Sequence, residues 1–198
     1  MKKILMATNN QNKVKEIRSV LNTVKSISIY SLNDFGITAE VEENGSTLEE
    51  NALIKAEYVF RLLNIPAISD DTGLFVNALN GDPGVYSARY AGEKASYKDN
   101  CVKLLSELKN VEMEKRKARF ESVICFYSEK KKYEFFKGVC HGKIIEKERG
   151  ENGFGYDPLF VPDGMSKTFA ELDGKEKNQI SHRALALKSF KVFIEKNY

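Results

Sequence analysis

Residues 47–76 read TLEENALIKAEYVFRLLNIPAISDDTGLFV, and the order of patterns within them decides the class of fold. Thr47 and Glu50 make the Thr-x-x-Glu pairing of a helix start, where side chains satisfy the orphan amides of the first turn. Leu48, Ala52, Ala56, Val59, Phe60 and Leu63 then recur at three-and-four spacing, which gathers them on one helical face. Pro66 ends the run, since proline has no amide hydrogen to donate. Ala67, Ile68 and Ser69 read as a brief strand that delivers Asp70, Asp71, Thr72 and Gly73 as a turn, after which residues 74–76 resume an apolar run. Helix, strand and acidic turn in that order predict an α/β protein with carboxylates at a strand end.

The neighbouring segments extend the same alternation. Residues 4–7 form a short apolar strand leading into Thr8, Asn9, Asn10, Gln11 and Asn12, and from Lys13 a helix with Val14, Ile17 and Leu21 on one face. NGDPG at residues 80–84 is a loop of turn formers, and residues 96–108 carry a further helical pattern. Residues 119–127 and 133–140 are aromatic and β-branched around the charged stretch 128–132, which predicts a hairpin of two long strands. Residues 159–161 form a short strand, and residues 181–196 a last helix with Ser181 as N-cap. No repeat or linker interrupts the chain, so residues 1–198 are expected to form a single domain.

Composition excludes several classes. Thirty-one basic against 28 acidic residues leave a formal charge of only +3, too weak a field to point to nucleic acid or an acidic membrane. The N-terminal MKKILMA is too short for a signal peptide or a membrane span, which suggests a cytoplasmic address. Cys101, Cys125 and Cys140 are widely spaced, fitting reduced structural thiols; a zinc site at Cys140 and His141 lacks CxxC or HxxxH partners. Lys115, Arg116, Lys117 and Arg119 could form a basic stripe for nucleic acid, although Glu112 and Glu114 dilute it.

Four groups of residues can carry chemistry. The loop from Thr8 to Lys13 opens a helix, whose amides and dipole favour an anion; the same residues also fit an asparagine-rich turn. Asp70 and Asp71, with Glu42 and Glu43 upstream, offer the oxygens that Mg²⁺ prefers, or else form a turn and a solvated patch. Phe154, Gly155, Tyr156 and Asp157 follow Gly150 and Gly153 and combine close backbone approach, a stacking face and an acceptor for base N–H groups, though aromatics beside a strand also serve as core. Lys177, Ser181, His182 and Arg183 sit where the last helix begins. Cations there oppose the helix dipole by about 0.3–1 kcal/mol, so something negative or accepting is expected at the site. Lys55 is a further candidate phosphate contact.

TNNQNKVKE at 8–16, ENGSTLEENALIKA at 43–56, SDDTGL at 69–74, ALNGDPGVYSARYAG at 78–92, NGFGYDPLFVP at 152–162, KTFAEL at 167–172 and EKNQISHR at 176–183 together resemble the inosine triphosphate pyrophosphatase, or Ham1-like, family. The resemblance covers essentially the whole chain. It implies an elongated, two-lobed α/β protein with a central mixed β-sheet flanked by helices and lobes around a cleft, requiring Mg²⁺ and forming a homodimer. It implies cleavage of inosine and xanthosine triphosphates to monophosphate and pyrophosphate. By matched motif, Thr8, Asn9, Asn10, Gln11, Asn12 and Lys13 would line the triphosphate, Glu43 and Asp71 would hold Mg²⁺, and Thr72 would touch the nucleotide. Asp71 would accept the proton. Phe154, Gly155, Tyr156 and Asp157 would frame the base, closed by Lys177, His182 and Arg183. Arg183, a pure donor, would read the purine 6-oxo group. A pyrophosphatase of modified pyrimidine or methylated nucleotides would share the phosphate chemistry without this base pocket. Two departures stand out: Glu151 and Asn152 where relatives commonly have small residues and glycine, with Asn152 able to take glycine's left-handed conformation, and Gln11-Asn12 where proline or glycine is common.

Overall fold

The computed structural model describes residues 1–38 and 41–197. The chain runs β1 (Lys2–Met6), α1 (Gln11–Leu21), β2 (Ile27–Ser31), α2 (Leu48–Leu63), β3 (Ala67–Val76), β4 (Pro83–Gly84), α3 (Tyr97–Glu107), β5 (Lys117–Glu129), β6 (Lys132–Ile144), β7 (Phe160–Pro162), α4 (Gly174–Ile180) and α5 (His182–Asn197). The strands form one mixed sheet in the order β2-β1-β3-β5-β6-β7, with β4 on β3. β1 is parallel to both β2 and β3, whereas β3–β4 and β6–β7 are antiparallel. The α/β class and the mixed sheet agree with the sequence reading.

The chain folds into two compact units. One comprises Met1–Asp71, Ser122–Gly138 and Arg183–Tyr198; the other comprises Thr72–Glu121 and Val139–His182. In the first, α1 starts two residues earlier than its apolar stripe suggested, because Asn10 caps it by accepting from the amides of Asn12 and Lys13. Its stripe of Val14, Ile17 and Leu21 packs with Ile4, Ile68 and Phe190 in the core. α2 begins with Thr47 accepting from the Glu50 amide and ends at Asn64 in the left-handed conformation, two residues before Pro66. In the second unit, Leu104, Leu108, Phe120, Phe160 and Phe169 form the core, and Ser96 with Asp99 closes a capping box on α3.

Four expectations are corrected. SDDTG is not a turn: β3 runs unbroken through Asp70, Asp71, Thr72 and Gly73. Turn propensity there gives way to pairing, since β4 lies so close that a Cβ on Gly73 would stand 2.6 Å from the Gly84 carbonyl oxygen. The loop at residues 80–84 is thereby partly strand. The basic stripe does not form, because Arg116 is buried and donates to the carbonyls of Val111 and Leu108 at 2.9 and 2.8 Å, closing the end of α3. Lys177 belongs to the separate helix α4, capped by Asp173, and not to the last helix. The hairpin itself is present, turning at two residues with Lys131 left-handed.

All three cysteines are free and buried, and burial pushes their thiols up, Cys101 and Cys125 to about 12 and Cys140 to about 11. They are inert structural thiols.

Candidate functional site

Two groups of buried polar side chains are built, one within each unit. In the first unit the charged residues meet at β3. Asp70 is buried and accepts from Arg183 at 3.2 and 3.0 Å, from the Ser122 hydroxyl at 2.6 Å and from Lys13 Nζ at 2.7 Å. Burial pushes its carboxyl up, but Arg183 and Lys13 outweigh that and hold it well below the usual range. Arg183 is equally enclosed: its remaining terminal nitrogen donates to Glu16. The arginine at the start of α5 therefore faces two carboxylates, and these compensate the unfavourable helix dipole that the sequence flagged.

Asp71 has a different set of neighbours. Its Oδ1 accepts from Lys55 Nζ at 2.6 Å, and the same ammonium reaches Glu43 Oε1 at 3.0 Å and the Asp70 carbonyl at 2.9 Å. Burial raises the Asp71 carboxyl against the pull of Lys55 and Lys13, so it binds a proton more readily than an ordinary aspartate. Glu43 also loses hydration, but Lys55 outweighs that and lowers it. Glu42 is exposed. The loop carrying Glu43 is held by Asn51, whose Oδ1 accepts from the Gly45 amide at 2.8 Å.

This donor set fits a hard cation. Three oxygens, two of them from carboxylates, already converge within 3.0 Å of one positive nitrogen. Among the described residues no group of three or more His, Cys, Asp or Glu side chains could hold a metal. Two carboxylates suffice for Mg²⁺, which takes one or two from protein and completes its octahedron with phosphate and water.

The loop from Thr8 to Lys13 is bound more to itself than an open anion cradle would be. Thr8 Oγ1 accepts from the Asn10 amide at 3.1 Å, Asn10 takes the amides of Asn12 and Lys13, and Gln11 is exposed, its side chain reaching the Asn9 carbonyl at 3.2 Å. Lys13 spends its charge on Asp70.

In the second unit, Asp157 organises the FGYD segment. Its Oδ2 accepts from the Phe154 amide at 2.8 Å and from Lys177 Nζ at 2.6 Å, and Lys177 lies 5.1 Å from the Phe154 ring centre. Gly150, Gly153 and Gly155 have φ of 85°, 76° and 64°, and a Cβ on Gly153 would stand 2.0 Å from Asp157 Oδ2. Left-handed backbone is thus supplied by glycines. Asn152 instead donates its side chain to the Leu172 carbonyl at 3.0 Å, and Glu151 is exposed. The Cys101 thiol donates to the Gly155 carbonyl, and His182 stacks on Phe120 with ring centres 4.6 Å apart. The Tyr156 ring is buried in the core and its hydroxyl donates to the Ser87 carbonyl at 2.9 Å, which anchors the segment. Thr72 is half-buried in β3.

Sequence patterns did not single out Glu16, Ser122 or Asn51. Glu16 and Asn51 lie inside quoted motifs and carried a signal; Ser122, in the middle of an apolar strand, carried none.

With this geometry in place, the sequence matches the Ham1 family over residues 4–193. The chain belongs to the Ham1 family. It is 50% identical over 194 residues to the dITP/XTP pyrophosphatase of Thermoanaerobacter pseudethanolicus, covering 98% of this chain and 97% of that protein. It is 46% identical over 195 residues to the Bacillus subtilis protein of the same name, covering 98% of each. Its fold is similar to that of the Staphylococcus aureus Ham1 protein, with a TM-score of 0.87, 41% identity and all of both chains covered.

Proposed function

We propose that this chain hydrolyses non-canonical purine nucleoside triphosphates, those of inosine, deoxyinosine and xanthosine, to the monophosphate and pyrophosphate, and that it needs Mg²⁺ to do so. The observation that carries the reading is the convergence of Glu43 and Asp71 on one cationic nitrogen. Whole-length identity to proteins named dITP/XTP pyrophosphatase supports the substrate class.

Glu43 and Asp71 would hold the ion, which when bound supplies charge to offset the polyphosphate. Asp71 accepts the proton of a water whose oxygen bonds to the α-phosphorus, and pyrophosphate leaves with the bridging oxygen as the bond between that oxygen and the α-phosphorus breaks. Thr8, Asn9, Asn10, Gln11, Asn12 and Thr72 are assigned to the nucleotide by motif, and Lys13 and Lys55 to its phosphates. Phe154 and Gly155 are assigned to the face of the base, with Asp157 and Lys177 as its polar partners and His182 beside them. Arg183 donates to Asp70 and Glu16, and we assign it first to holding these carboxylates. Action as a homodimer and a cytoplasmic address belong to the same proposal; sedimentation of the purified protein tests the first.

The test is a panel of inosine, xanthosine, adenosine, guanosine and thymidine triphosphates with Mg²⁺, with products separated. Monophosphate plus pyrophosphate from the first two, with little from the others, is the expected result. Diphosphate plus phosphate, or preference for thymidine triphosphate, would sink it.

Gly153→Ala probes the base side. Its Cβ would displace Asp157 from the Phe154 amide and from Lys177, so KM for inosine triphosphate is expected to rise more than kcat falls. Stability should drop by about 1–3 kcal/mol from the forced contact. Steady-state kinetics and urea unfolding measure both; an unchanged KM would detach this segment from the base.

A further inference from the structure

Lys55 is buried on α2, and an ammonium there must satisfy three N–H groups without water. It does so on Glu43 Oε1, Asp71 Oδ1 and the Asp70 carbonyl. The other nearby ammonium, Lys13, is committed to Asp70, at 2.7 Å from the carboxylate and 3.2 Å from the carbonyl. Each lysine therefore has its own aspartate, and Lys55 rests on the two carboxylates that the reading above gives to a divalent ion.

We propose that Lys55 is a resident counter-cation of the Glu43–Asp71 pair, exchanged for the divalent ion when it binds and then released toward a phosphate oxygen. The inference rests on the metal-dependent reading above and adds a competition to it. Mg²⁺ needs its oxygens at about 2.0–2.1 Å in a near-ideal octahedron, which leaves no room for an ammonium on the same lone pairs. Two ligands that exclude one another on shared atoms lower each other's affinity by an equal factor.

The arrangement has a physical use. Two carboxylates brought together by folding repel unless a cation lies between them, so a lysine tethered through its own helix keeps the pair assembled before the ion arrives. A flexible four-carbon stem then lets the displaced charge move to the incoming anion without leaving the site.

The exchange predicts effects of opposite sign on binding and turnover. In calorimetric Mg²⁺ titrations of the full chain without nucleotide, Lys55→Met is expected to bind the ion more tightly than the wild type, on the order of tenfold. Its turnover of inosine triphosphate at saturating Mg²⁺ should nevertheless fall. Wild-type binding with equal or weaker binding by Lys55→Met overturns the exchange and leaves the metal site standing. If neither protein binds Mg²⁺, there is no ion for Lys55 to exchange with and the exchange is overturned, while the metal reading stands or falls separately on whether pyrophosphate release from inosine triphosphate needs Mg²⁺. Should the variant not fold, the wild type decides: the Lys55 ammonium resonance, followed by nitrogen NMR, should shift and exchange its protons faster on Mg²⁺ saturation. A resonance indifferent to the ion overturns the proposal.

Discussion

Asp71→Asn protein is expected to fold like the wild type and to turn over inosine triphosphate roughly 10²–10⁴-fold more slowly, the span a positioned general base contributes. The amide keeps an oxygen where Lys55 now donates at 2.6 Å, so the local hydrogen bond survives while the proton acceptor and the formal charge are lost. Thermal unfolding should therefore shift little, and the loss should appear in kcat. Glu43→Gln is the companion measurement. It leaves the base in place and removes one carboxylate, so added Mg²⁺ should restore most of its activity, whereas in Asp71→Asn it should restore only the share lost through weaker ion binding and leave the larger, base-dependent share missing. Equal turnover by wild type and Asp71→Asn would remove Asp71 from the mechanism.

The adjacent aspartate should behave in the opposite manner. Asp70→Ala is expected to lower the free energy of unfolding by about 3–5 kcal/mol, as when one partner of a buried ion pair is removed. Arg183 and Lys13 both donate to this carboxylate, and Arg183 is buried with it. A loss of this size is a large fraction of the roughly 5–15 kcal/mol that holds a domain folded. The pH dependence carries the same sign. Because Arg183 and Lys13 overcome burial and hold Asp70 well below the ordinary value, its ionised form contributes stability that is fully present above the unfolded pKa of about 3.9. That contribution is lost as pH falls from there through the folded pKa. Asp70→Asn should accordingly flatten the acid limb of a stability-versus-pH curve measured by urea unfolding. An acid limb identical to the wild type would show that Asp70 does not carry it.

Three-and-four spacing of apolar residues found α1, α2, α3 and α5, and the β5–β6 hairpin was legible in its aromatic and β-branched composition around a charged turn, since β5 is buried on both faces and shows no alternation. Periodicity passed over β2, whose five residues ISIYS are too few for a clear alternation. It also passed over α4, whose seven residues GKEKNQI lack an apolar stripe although Asp173 and Glu176 supply its start signal. SDDTG was misread for a different reason. Its local preference is for a turn, and only pairing with a distant strand and the partners of its carboxylates extend it into β3.

The candidate site shows the same division. The resemblance named candidate residues from the loop at Thr8 to the SHR segment and paired Glu43 with Asp71, and these two carboxylates share the Lys55 ammonium. Asp157 and Lys177 fell in separate groups by their residues and were brought together only by the resemblance, and their side chains are in contact. The partners of two further members are visible only in the fold: Tyr156 is buried in the core with its hydroxyl on Ser87, and Arg183 donates to Asp70 and Glu16.

What the amino-acid order determined by itself is the class of fold, most of its elements and the family's chemistry-bearing segments, since these depend on spacing along the chain. How two consecutive aspartates come to have different side-chain partners was decided only by tertiary structure. Successive side chains of an extended strand point to opposite faces, so once SDDTG is drawn into β3, Asp70 meets Arg183 and Ser122 while Asp71 meets Lys55 and Glu43. No local property of the pair distinguishes them before those distant partners arrive.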